Sequence, residues 1–344
     1  MPSTLEWRVH MYGSVITIRN HCFDKGFFSI VKAKVPVISI GNLAVGGSGK
    51  TPFTLMLARI MRELNIPVSL LSSGYGRSST GEVNVVSQGK LRPEITPEET
   101  GDEVYMHALT GLYETIIANK PKYKSIDQFA TPILIDDGFQ HRKIHRDIDI
   151  VLVSKKDLTD SLLPFGRIRE PLTSLKRADI IVCTDDTPKE AFAPYMKSSA
   201  MFCRTASLMK APYSLDEYVS STNEYAHCEI TDPVMAIAGI ANPERFLDSL
   251  TKNDIQVKHH HWLKDHVHYD TSMIEQLCDE AIEHQCSTIV ITSKDAVKLQ
   301  AYSSHFASKG IRVLGIPVFY ECVEGKEELI SRIIRLCSPF IQSI

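Results

Sequence analysis

Lys50 and Thr51 close the run Gly41-Asn42-Leu43-Ala44-Val45-Gly46-Gly47-Ser48-Gly49-Lys50-Thr51, whose residue types suit one chemistry, the holding of phosphate. The β-branched segment Val37-Ile38-Ser39-Ile40 precedes it, and Phe53 to Met61 follows with apolar residues at helical spacing. Between strand and helix, glycines let the main-chain N–H groups of residues 44–51 crowd around phosphate oxygens, and the helix N-terminus adds positive potential. Lys50 supplies a point charge for the β- and γ-phosphates, and Thr51 offers a hydroxyl to Mg²⁺. The general pattern has a glycine where this chain has Ala44, and Gly46 and Gly47 are the residues that could compensate. A plain glycine-rich turn is the bland alternative; Lys50-Thr51 in register argues against it.

Carboxylates come next. Asp136 and Asp137 end the apolar run Pro132-Ile133-Leu134-Ile135, which is where a second anchor for Mg²⁺ is expected in a chain with a phosphate loop. Strand-end aspartates also cap turns, so the pairing with the loop carries the argument. Gln140 and His141 add polar groups just downstream. Tyr75 and Arg77 follow another strand end in the turn Gly74-Tyr75-Gly76-Arg77, and are expected on the same edge as the phosphate loop, near nucleotide or sugar. Arg167, Arg169 and Glu170 lie in a Pro- and Gly-punctuated loop with Lys176 and Arg177 nearby, suited to a phosphate or an anionic headgroup. Glu170 either assists Mg²⁺ or pairs with Arg169. The cluster His259, His260, His261, His266 and His268 invites a metal, but three consecutive residues cannot share one face of a strand, and no ordered Cys or Glu spacing supports zinc.

The elements that must position these groups alternate. Short apolar runs at 68–72, 83–86, 115–118, 132–135, 148–153 and 180–183 are expected as strands, with helical patterns at 53–61 and 101–109. The alternation restarts with strands at 234–239, 288–291 and 313–316 and helices at 242–250, 274–284 and 326–336. This predicts an α/β chain: a P-loop NTPase-type parallel sheet with helices on both faces over residues 35–215, a polar linker at 216–232, and a smaller α/β domain at 233–344. The active site is expected in the crevice between the two, at the carboxyl ends of the strands.

These motifs, taken in order, resemble the tetraacyldisaccharide 4′-kinase family. The resemblance runs through Asn42 to Pro52 (with the missing early glycine), Gly74-Tyr75 and Arg77, Gly101-Asp102-Glu103, Asp136 to His141, Leu163 to Pro171, and Lys176 to Asp179. It continues through Ala238-Gly239-Ile240, Asn242 to Phe246, Asp265-His266 and Lys294 to Lys298; Leu263 stands where the family usually has Phe. The resemblance implies transfer of the γ-phosphoryl group of ATP, with Mg²⁺, to the 4′-hydroxyl of an acylated glucosamine disaccharide 1-phosphate, giving lipid IVA. It also implies Asp102 as the base and His266 as its assistant, with His268 the rival histidine. Without the resemblance, Asp102 reads first as a helix N-cap. For Asp102 and His266 to meet, the second domain is expected to close over the first.

Bulk composition narrows the partners. The chain has 344 residues, 43% of them hydrophobic, and a net charge of −3, so it offers no general footprint for nucleic acid. Eight scattered cysteines form neither a zinc pattern nor a disulfide scaffold and fit a reducing cytoplasm. Residues 1–34 are expected to form a membrane-associating amphipathic segment. Leu5, Val9, Tyr12 and Ile16 make one stripe, widened by Trp7, Met11 and Val15, with Phe23, Phe27 and Phe28 beyond, and basic residues outnumber acidic ones. A helix packed on the protein's own core is the competing expectation. The predicted setting is peripheral, at the cytoplasmic face of the inner membrane on an anionic lipid surface, with no obligate protein partner. Two other functions compete: a P-loop ATPase or ligase acting on a soluble carboxylate, and a nucleotide switch without catalysis.

Overall fold

Every position in the strands Val37–Asn42, Ile133–Asp136, Ile148–Val153 and Ile180–Cys183 is buried, which a strand achieves only when both faces of its sheet are covered. The computed structural model describes residues 4–215, 228–265 and 267–342, and of residues 4–10 only the helical backbone. The chain divides into two compact units.

The first unit comprises Met1–Ser73, Tyr113–Ser207 and Tyr320–Ile344. Its sheet runs in the order Val318–Glu324, Met201–Met209, Ile180–Cys183, Ile148–Val153, Val37–Asn42, Ile133–Asp136, Ser69–Ser72, Thr115–Ala118. From Met201–Met209 to Thr115–Ala118 the neighbours pair parallel. Val37–Asn42 is central, and its register sets Ile40 beside Asp136. The strand that feeds the phosphate loop and the strand that ends in the aspartate pair therefore finish side by side.

Helix Thr4–Asp24 belongs to this unit. The expected stripe divides. Tyr12 and Ile16 are half-buried against the protein, whereas Met11, Val15 and Ile18 are 50%, 57% and 63% exposed. The side chains of Leu5, Trp7 and Val9 lie outside the described residues. The inward face is largely polar: Tyr12 donates to the Arg169 carbonyl at 3.0 Å, Arg19 to the Gln140 carbonyl at 2.8 Å, and Asn20 to Glu170 at 2.6 Å. The helix thus packs on the protein's own unit along one face and leaves Met11, Val15 and Ile18 exposed on another.

The second unit comprises Gly74–Leu112 and Leu208–Phe319. Its sheet order is Tyr213–Ser214, Arg312–Ile316, Thr288–Thr292, Val234–Ala238, Val257–Trp262, parallel except at the first pair. The segment 74–112, expected with the phosphate-loop domain, belongs here because Tyr105, Met106 and Leu109 pack on this unit's core. The C-terminal helix Lys326–Cys337, expected in the smaller domain, belongs to the first unit. Most of the expected linker, residues 216–227, lies outside the described residues.

Candidate active site

The turn after Val37–Asn42 enters helix Lys50–Glu63 through Gly46 and Gly49, whose φ angles are 95° and 82°. A side chain at Gly49 is excluded twice: its backbone is left-handed, and a Cβ there would stand 2.0 Å from the Tyr320 hydroxyl. Ala44 is buried in an extended bridge to Ile168, a conformation that asks for no glycine. The loop 163–171 grips the entry to the turn, with Val45 N–H donating to the Arg167 carbonyl and Arg169 N–H to the Leu43 carbonyl, each at 2.7 Å. Arg167 itself is held by Asp160 at 2.7 Å.

Charges converge at the end of this turn. Lys50 Nζ lies 3.2 Å from Asn42 Oδ1 and 3.7 Å from Asp137. Arg169 binds both Asp137 oxygens, at 2.8 and 2.7 Å, and Asn42 Oδ1 at 2.5 Å. Burial opposes ionisation of Asp137, but the Arg169 hydrogen bonds and the charges of Lys50, Arg169 and Lys122 overcome it and hold its pKa well below the usual range. Asp137 is thus committed to cations within the protein.

Asp136 is differently placed. Its Oδ2 accepts weakly from Ser72 at 3.4 Å, and its Oδ1 is buried with no partner. Gln140 donates through Nε2 to the Asn42 carbonyl at 3.0 Å, while its Oε1 is also buried and unpartnered. Unmet oxygens in a buried site cost stability unless a ligand satisfies them. A carboxylate oxygen and an amide oxygen are hard donors suited to Mg²⁺, which usually takes one or two carboxylates and fills its shell with water and phosphate. Among the described residues there is no group of three or more His, Cys, Asp or Glu that could hold a metal ion. His141 is pushed down to about 3, chiefly by burial and then by the charge of Lys122, so it is a neutral imidazole at physiological pH.

Glu170 is 1% exposed; it accepts from Asn20 at 2.6 Å and Arg177 at 2.8 Å. It pairs with Arg177 rather than the expected Arg169 and secures the N-terminal helix. Sequence reasoning missed Lys122, fully buried and bonded to the main-chain oxygens of both Asp136 and Asp137.

Asp102 lies in the second unit as the first residue of helix Asp102–Leu109. The residue preceding the helix is Gly101, so Asp102 is not the N-cap. Gly101 has φ 87°, and a Cβ there would come within 2.5 Å of the Tyr75 carbonyl. The Gly74–Arg77 turn therefore supports the Gly101-Asp102-Glu103 turn within this unit; Tyr75 is exposed and Arg77 donates to the Gly81 carbonyl at 2.5 Å.

Lysines from helix Ser293–Leu299 carry Asp102 to the expected histidine segment. Lys298 Nζ is 3.2 Å from Asp102 and 2.9 Å from the Val267 carbonyl. Lys294 reaches Glu103 at 3.7 Å and Asp265 at 2.8 Å. Beneath them buried Asp295 accepts from Gly239 N–H, Tyr269 and Thr292. Asp102 and the segment flanking residue 266 thus meet inside one unit, with no domain closure needed for that pairing. His266 itself lies outside the described residues, and His268 is exposed. In the histidine run, His259 and His261 share Glu280 at 2.6 and 2.7 Å while His260 stacks on Trp262.

The family model for tetraacyldisaccharide-1-P 4′-kinase (LpxK) matches residues 5–336. The chain belongs to the tetraacyldisaccharide 4′-kinase family. It is an enzyme, a kinase, and its relatives match along nearly their whole length. A tetraacyldisaccharide 4′-kinase of Aquifex aeolicus is 35% identical over 335 residues, covering 94% of this chain and 96% of the relative. One from Chlorobaculum parvum is 33% identical over 338 residues, covering 94% and 92%. A crystal structure of LpxK from Aquifex aeolicus in complex with ATP superposes with a TM-score of 0.75 at 32% identity, covering 97% of this chain and 99% of that one.

Proposed function

We propose that this kinase transfers the γ-phosphoryl group of ATP to the 4′-hydroxyl of a tetraacylated glucosamine disaccharide 1-phosphate, giving lipid IVA. The first unit supplies the phosphate-holding half of the chemistry. Main-chain N–H groups of residues 44–51 and the ammonium of Lys50 bind the triphosphate. Asp136, Gln140 and the Thr51 hydroxyl are the residues that would hold Mg²⁺, and the ion would supply neutralisation of the triphosphate's charge. The buried, partnerless Oδ1 of Asp136 beside Lys50's turn is the observation that carries this assignment.

The second unit supplies the proton-accepting half. A sugar hydroxyl is un-ionised near neutrality, so its proton must pass to a base as its oxygen bonds to phosphorus and the bond to ADP breaks. Asp102 takes that proton, and His266 orients the carboxylate and shares the proton. Incubation with γ-labelled ATP and the acylated disaccharide phosphate in vesicles tests the whole reading. Label entering the lipid is expected. Label appearing only as inorganic phosphate, or none released, would favour the soluble ligase or the nucleotide switch.

The substrate's acyl chains keep it in a bilayer, so the kinase works at the cytoplasmic face of the inner membrane. Among the described residues no helix is long and apolar enough to cross a membrane. The exposed Met11, Val15 and Ile18, with exposed Phe27, Phe28 and Ile30 following, form the apolar contact. Each such side chain contributes roughly 1.5–3 kcal/mol when fully buried. Deleting the helix would also remove its bonds to Arg169 and Glu170, so surface changes are the cleaner test. The triple variant Met11→Ser, Val15→Ser, Ile18→Ser should lower flotation with anionic liposomes about tenfold or more. Undiminished flotation would exclude this face as the contact.

A further inference from the structure

Lysine is seldom fully buried without a specific partner, and Lys122 is fully buried. It opens the short turn Lys122–Lys124 that follows strand Thr115–Ala118, and its ammonium is spent on main-chain oxygens. It donates to the carbonyl of Asp136 and, at 3.0 Å, to that of Asp137. Those two carbonyls flank a left-handed backbone, since Asp137 has φ 48°. That conformation is unfavourable for a residue with a side chain and needs something to hold it. One cation bound to both carbonyls does so. The turn sends Asp137's carboxylate to Lys50 and Arg169, and leaves Asp136 Oδ1 buried without a partner.

We propose that Lys122 is a positioning residue of the phosphoryl-transfer centre, fixing the Asp136–Asp137 turn so that Asp136 faces the divalent cation while Asp137 is turned to the cations of the protein. Lys122 touches neither nucleotide nor acceptor in this role; it acts through the two peptide oxygens. The inference rests on the reading of Asp136 as a metal ligand, and the test separates the two.

Full-length protein carrying a non-hydrolysable ATP analogue is titrated with Mn²⁺, read by electron paramagnetic resonance, alongside the thermal midpoint and the analogue's affinity without metal. Losing a group that orients a metal ligand typically costs about 10–100-fold in metal affinity. Lys122→Met should therefore weaken Mn²⁺ binding by roughly tenfold or more, while metal-free analogue binding stays within about twofold. Lys122→Arg, which keeps the charge but not the compact ammonium, should fall between wild type and Lys122→Met; if the methionine variant does not fold, the arginine variant carries the test alone. A folded Lys122 variant with wild-type Mn²⁺ affinity, beside an Asp136→Asn control that has lost it, overturns the role of Lys122 and keeps the metal reading. Unchanged affinity in Asp136→Asn overturns both.

Discussion

Exchanging Asp102 for asparagine should lower kcat about 10²–10⁴-fold and leave the KM for ATP within about twofold. The substitution preserves shape and one hydrogen-bonding oxygen but removes the proton acceptor. Its effect therefore belongs to the step in which the sugar hydroxyl is deprotonated, not to nucleotide binding. Lys298, 3.2 Å from Asp102, would lose its ionic partner, so the thermal midpoint must be measured beside the kinetics. An equal loss in kcat and ATP affinity, or a loss matched by the unfolded fraction, would return Asp102 to a purely structural role in its helix.

Changing Lys50 to methionine should act on the other half of the reaction and with a different kinetic signature. A cation that meets the β- and γ-phosphates in the bound nucleotide and in the transition state contributes to both KM and kcat. Removal of one such electrostatic contact typically costs about 10²–10³-fold in rate. We expect that loss in kcat together with a raised KM for ATP, measured at saturating acceptor. Lys50 lies near Asp137 and Asn42, and Asp137 has a second, bidentate partner in Arg169 that the change leaves in place. Folding should therefore survive, and a variant with wild-type kcat would remove Lys50 from the chemistry.

Strand recognition from the sequence succeeded where burial is two-sided and failed where it is not. The runs expected at 148–153, 180–183 and 288–291 are rich in β-branched and apolar residues, and the strands Ile148–Val153, Ile180–Cys183 and Thr288–Thr292 are buried at every position. Strands Met201–Met209, Val257–Trp262 and Val318–Glu324 went unread because each is only partly covered and carries polar residues on its open side. In Val257–Trp262 the alternation is present, but it is written in lysine and histidines: His259 and His261 face Glu280 while Lys258 and His260 are exposed. Hydropathy could not display it.

What the sequence settled alone was local. The phosphate loop is a set of consecutive residues whose glycines and helix start define the geometry, and Asp136 follows directly from the strand that carries it. Tertiary structure decided the rest. Whether Glu170 met a metal or an arginine depended on Asn20 and Arg177 arriving from other segments. Whether Asp136 or Asp137 stayed open to a ligand depended on Arg169 and Lys122. Asp102 shares a unit with Asp265 and Val267 because the chain enters that unit at Gly74 and again at Leu208, with Lys294 joining Glu103 to Asp265 and Lys298 joining Asp102 to Val267. Charged side chains carry no periodic signature of their partners, since Coulomb attraction acts through space and the partner's position is set by chain crossings far away in sequence.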